Sequence, residues 1–127
     1  MFPVEVIYTD APEKDYYNAV IKTVVDIHKN EAAGDILVFL TGEDEIESAC
    51  ADVAEEIKHL GNNVGNALIL PLYSTLPPQQ QNRIFDDAPG KNIKGIAGRK
   101  IIFATNIAET SLTIDGIVYV VDPGLSK

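Results

Sequence analysis

Apolar positions along the chain fall into short continuous runs separated by stretches of helical period. A β-rich run at 4–8 opens the pattern. Pro12 then suits the first turn of a helix. Tyr17, Val20, Ile21, Val24, Ile27 and His28 recur at helical spacing and give that helix one apolar face. Residues 36–40 are continuously apolar, the mark of a strand buried on both faces. The next helix is the clearest element: Ile46, Cys50, Val53, Ile57 and Leu60 step by 4, 3, 4 and 3. Glu43, Asp44 and Glu45 crowd its first turn, where the helix dipole favours negative charge. Thr41 reads as its N-cap, with Asp44 three residues on as a weak capping box, and Gly61 as its C′ residue. Cys50 lies on the apolar stripe and reads as core.

Residues 67–72 predict another buried strand, and Pro77 and Pro78 start a short polar helix over 79–85. A glycine- and lysine-rich loop covers 86–98. Residues 99–104 and 117–121 predict two further buried strands, with a Ser/Thr-rich stretch between them. Strands alternating with helices predict an α/β fold, a mostly parallel sheet with helices on both faces. Ligands of such sheets bind at the carboxyl ends of the strands. That rule selects Thr41-Gly42, Tyr73-Ser74-Thr75 and Thr105-Asn106.

Composition narrows the classes. The chain has 127 residues, 46% of them apolar, which is enough for one domain with a core. The longest aliphatic or aromatic runs, 36–40 and 117–121, are far short of the roughly 18 residues of a membrane span. A single cysteine and the lack of a charged-then-apolar leader fit a reducing compartment. His28, His59 and Cys50 have no zinc spacing. The net charge of −9 disfavours a free-standing nucleic-acid clamp. It is unevenly spread, however. Residues 1–66 hold 4 basic and 14 acidic side chains, and residues 67–127 hold 6 basic and 5 acidic. Lys91, Lys94, Arg99 and Lys100 follow one another with no acid between, so a polyanion contact belongs to the second half. The other reading of these cations is a solvated loop.

No complete catalytic motif is present. Residues 90–95 approach a phosphate loop, but Ile96 stands where lysine is required. Asp35 precedes its strand instead of ending it, which argues against a phosphoacceptor of the receiver type. At the end of the strand 99–104, Thr105 and Asn106 offer short polar side chains and backbone amides suited to phosphate oxygens. The same residues read equally as a loop capped by its own hydroxyls.

The segment Thr-Asn-Ile-Ala-Glu-Thr-Ser-Leu-Thr-Ile at 105–114 closely resembles motif V of the DEAH-box RNA helicases. Leu-Val-Phe-Leu-Thr-Gly at 37–42 is similar to their motif IV region. Residues 72–85, Val-Asp-Pro-Gly at 121–124 and the opening 3–9 resemble the matching parts of the family's second RecA-like domain. The wording of 73–85 is most similar to the member that disassembles lariat-intron spliceosomes and also serves ribosome assembly. Glu43, where the family often has Gln, and Leu125, where an aromatic is usual, depart from the pattern.

The resemblance implies a RecA-like three-layer sandwich over 1–127, ending before the arginine-rich motif VI. It implies RNA contacts at Thr41, Thr105 and Asn106, and coupling to nucleotide state at Thr110 and Ser111. It implies nucleotide contacts at Phe85, stacked on adenine, and Asp115. Phe85 reads otherwise as the apolar end of its helix, and Asp115 as a turn carboxylate before Gly116. ATP and Mg2+ are expected mainly on the first RecA-like domain, so the isolated chain is expected to be inactive. Implied partners are RNA held by its backbone, the first RecA-like domain and a G-patch activator, in the nucleus and nucleolus, with no membrane. The alternative is a RecA-like interaction module with no RNA or nucleotide role of its own.

Overall fold

A computed structural model describes residues 5–8, 16–30, 34–73, 75–105 and 116–122. Five strands form one sheet: β1 (Glu5–Tyr8), β2 (Asp35–Leu40), β3 (Ala67–Leu72), β4 (Arg99–Thr105) and β5 (Ile117–Asp122). Their spatial order is β1-β5-β2-β4-β3, and every pairing is parallel. Pro71 lies within β3, an outermost strand, where a missing N–H spoils no ladder bond on the open side.

Side-chain alternation divides the core in two. On one face Ile36, Val38, Leu40, Ile101, Phe103, Tyr119 and Val121 pack against two helices. The first, α1 (Tyr16–Asn30), contributes Val20, Val24 and Ile27, and the second, α2 (Glu43–Leu60), contributes Ile46, Ala49 and Val53. On the other face Leu37, Leu70, Leu72, Ile102 and Ala104 pack with Ile84. Ile84 belongs to a 3₁₀ turn, Asn82–Phe85, that continues a one-turn helix, α3 (Pro78–Gln81). The expected helix over 79–85 is thus two short pieces, and helices lie on both faces. Cys50 packs half-buried against the core, and burial pushes its thiol up to about 12.

One local expectation is overturned. Gly42, and not Thr41, caps α2, because the Gly42 carbonyl accepts the first helical bond from Ile46 N–H at 3.1 Å. Thr41 stands one residue outside. Its N–H and hydroxyl both donate to Glu45 Oε1, at 3.2 and 2.9 Å. The capping carboxylate is therefore Glu45, reaching back one residue further than the box read from Asp44.

The glycine- and lysine-rich loop has no regular structure, yet one side chain organises it. Asn92 donates to the Asn62 and Val64 carbonyls and accepts from the Lys94 and Ile96 amides. Gly65 lets the two segments touch, since a Cβ there would fall 2.0 Å from the Ala97 carbonyl oxygen.

Candidate functional site

The site residues read from the sequence divide between the two edges of the sheet. At the carboxyl edge Leu40 pairs with Thr105, and Leu72 with Ala104. Thr41 and Tyr73, each one residue past its strand, and Thr105, the last residue of β4, therefore lie at the ends of neighbouring strands about 4.8 Å apart. Thr105 is half-buried, and its Oγ1 is buried with no hydrogen-bond partner among the described residues. Thr41 is exposed, but the two donors a phosphate would use are held by Glu45. Tyr73 Oη donates to Glu47 at 2.5 Å, and that bond pushes the phenol up to about 12. With Glu43 and Asp44 beside it, the α2 side of this edge is acidic.

The amino edge holds Phe85. It is 64% exposed, whereas its neighbour Ile84 is 6% exposed. Ile84 and not Phe85 is thus the apolar end of the short helix. The Ile84 carbonyl accepts from Lys100 Nζ at 2.6 Å, which holds the turn beside the second residue of β4. Lys100 N–H donates in turn to Asp35 Oδ1 at 2.8 Å. Asp35 N–H donates to the Gly116 carbonyl at 3.0 Å, just ahead of β5. Gly116 has φ +93, and a Cβ there would lie 2.6 Å from Asp35 Oδ2, so only glycine fits the turn. Burial raises the Asp35 carboxyl, opposed by the Lys100 amide and by the Lys100 and Arg99 charges. Arg99 lies over the Tyr119 ring, 5.7 Å from its centroid. Nearby, His28 Nε2–H donates to the Gly65 carbonyl at 2.7 Å. Burial lowers its pKa below the ordinary 6.5.

Thr105 and Gly116 flank the motif V stretch and stand at opposite edges, one strand length or about 20 Å apart. Asn106, Thr110, Ser111 and Asp115 lie outside the described residues, as does Ser74. Neither reading of Arg99 and Lys100, a polyanion contact or a solvated loop, holds: both are buried, as is Asp35, which opens β2 instead of preceding it. Charged residues at the start of an apolar run look like solvated flanks, and no periodicity marks them as buried. Among the described residues no three His, Cys, Asp or Glu side chains gather closely enough to hold a metal ion. No described helix is long and apolar enough to cross a membrane.

The parallel sheet thus presents threonines at its carboxyl edge and an exposed aromatic away from it. The chain belongs to the helicase conserved C-terminal domain family, whose profile matches residues 17–127. It is 54% identical over 126 residues to the pre-mRNA-splicing factor ATP-dependent RNA helicase prp22 of Schizosaccharomyces pombe. That alignment covers 99% of this chain and 10% of the relative. Among solved structures, the chain is similar to the DExH-box NTPase HrpB of E. coli, with a TM-score of 0.68 and 36% identity. The match covers 95% of this chain and 14% of that one. A second crystal structure, of the Escherichia coli DEAH/RHA helicase HrpB, matches with the same values. The resemblance to the DEAH-box helicases and the RecA-like α/β fold are upheld.

Proposed function

We propose that residues 1–127 form the second RecA-like domain of an ATP-dependent DEAH-box RNA helicase. The carrying observation is the separation of the two edges. Thr105, whose buried hydroxyl has no partner among the described residues, stands with Thr41 at one edge. The exposed ring of Phe85 stands away from that edge. In this reading Thr41, Thr105 and Asn106 grip RNA phosphates. Contacts to phosphate position a strand without reading its sequence, so the grip is sequence-independent. Phe85 stacks on the adenine of ATP, and Asp115 contacts the nucleotide from beside Gly116. ATP supplies the phosphoryl group whose hydrolysis drives the cycle. Its phosphates and Mg2+ belong mainly to the first RecA-like domain of the same protein. Thr110 and Ser111, between the edges in sequence, carry nucleotide state toward the RNA grip. The coupling needs ATP to bind the closed arrangement of the two domains more tightly than the open one.

The splicing relative supports a role in pre-mRNA splicing, and the family resemblance of residues 73–85 adds spliceosome disassembly as the step and ribosome assembly as a second setting. That role implies the nucleus and nucleolus, and a G-patch protein as activator. The test is RNA-stimulated ATP turnover of the full-length protein. We expect Phe85→Ala to raise KM for ATP about tenfold, the loss of one stacking contact. We expect Thr105→Val to weaken RNA stimulation and leave KM for ATP unchanged. Wild-type behaviour of both variants would leave an interaction module as the better account.

A further inference from the structure

Two buried charges at the amino edge have no part in the contacts above. Asp35 is 7% exposed and Lys100 is 4% exposed. Charges buried to this degree are costly unless bonded, so their partners show what they hold. Lys100 bonds in two directions: its ammonium to the Ile84 carbonyl, and its backbone N–H to Asp35 Oδ1. Asp35 adds a bond from its own N–H to the Gly116 carbonyl, and its Oδ2 fills the space where Gly116 lacks a Cβ. The two residues thus tie together the starts of β2, β4 and β5 and the end of the 3₁₀ turn. Phe85 projects from that end. Being largely exposed, its ring is not held by packing, so the backbone just before it sets its direction.

We propose that Lys100 and Asp35 are positioning residues for the nucleotide-facing edge. Lys100 fixes the backbone from which Phe85 projects, and Asp35 fixes both Lys100 and the turn at Gly116. Neither touches the nucleotide. The proposal rests on the reading of Phe85 as an adenine contact.

The test is steady-state ATP turnover of the full-length protein, with RNA titrated in parallel. The variants are Phe85→Ala, Lys100→Met, the two combined, and Asp35→Asn. Lys100→Met is expected to raise KM for ATP about five- to tenfold, up to the effect of losing the Phe85 contact itself. The kcat and the RNA concentration for half-maximal stimulation should stay within about twofold, because the RNA grip lies at the far edge. Since Lys100 acts through Phe85, adding Lys100→Met to Phe85→Ala should raise KM no further than Phe85→Ala alone. Asp35→Asn keeps the side-chain volume and an acceptor for the Lys100 amide, and should shift KM the same way by less. It decides the matter alone should Lys100→Met fail to fold.

An unchanged KM in Lys100→Met, or in Asp35→Asn where that variant stands alone, would overturn the proposal. So would KM effects that multiply in the double variant, or an equal loss of RNA response, which marks general damage to the domain. If Phe85→Ala itself leaves KM unchanged, the functional reading fails and the proposal falls with it. If Phe85→Ala raises KM and Lys100→Met does not, the proposal alone fails.

Discussion

A threonine hydroxyl buried at the end of β4 with no partner among the described residues is a local cost, because its lost hydration is not replaced. Thr105→Val removes that cost and keeps the shape. We expect its denaturant midpoint to match or slightly exceed wild type, while RNA binding weakens. A clear loss of stability would mean that the hydroxyl serves the fold. Phe85→Ala should likewise leave stability within about 0.5 kcal/mol, since the ring is 64% exposed. At this scale the sequence was informative about residue type and silent about pairing. Thr41, Phe85 and Thr105 are proposed contacts on the strength of their motif. The commitment of Thr41 to Glu45 was not legible, since a carboxylate four residues on competes with ligand only once the helix start is fixed at Gly42.

Among the elements, α2 starts at the carboxyl edge, where we place the RNA contacts. Its first turn carries Glu43, Asp44 and Glu45, which favour the helix dipole and repel phosphate. Glu45 already occupies both Thr41 donors, as an anion from RNA would. Glu45→Gln retains an acceptor and removes the charge. We expect it to tighten RNA binding about two- to fivefold at low salt, with the gain shrinking as salt rises. Unchanged or weaker binding would show that Thr41 does not meet phosphate. The strands were legible because each contains a short apolar run, as in 36–40. The 3₁₀ turn was harder to read. Ile84 and Phe85 are adjacent apolar residues, and only the packing of Ile84 against Leu70 and Ile102 shows which one faces the core.

Across the whole molecule, the parallel order β1-β5-β2-β4-β3 places Thr105 and Gly116 at opposite edges. The chain therefore leaves β4 at one edge and enters β5 from the other. The alternation of strands and helices was enough to predict the sheet. The carboxyl-edge rule found Thr41 and Thr105 but not the edge of Phe85, because Phe85 is placed by the long-range bond from Lys100 to Ile84. The buried polar groups of the amino edge also set a pH response. His28 has its folded pKa below the ordinary 6.5 through burial, so the fold favours the neutral ring. Its contribution is fully present above pH 6.5 and is lost as pH falls below that value. Asp35, raised above its ordinary 3.8, acts oppositely: its cost is relieved as pH falls through the raised value. We expect amide protection of β4 to fall between pH 7 and 5.5. His28→Gln should reduce that fall. An equal fall in the variant would assign the response to other groups.

The separation of the edges is tested most directly by equilibrium binding to the full-length protein, each ligand measured without the other. RNA would be titrated in the absence of nucleotide, and a fluorescent ATP analogue in the absence of RNA. The account expects Thr105→Val to weaken RNA alone and Phe85→Ala to weaken nucleotide alone. Each variant weakening both ligands equally, or neither, would contradict it.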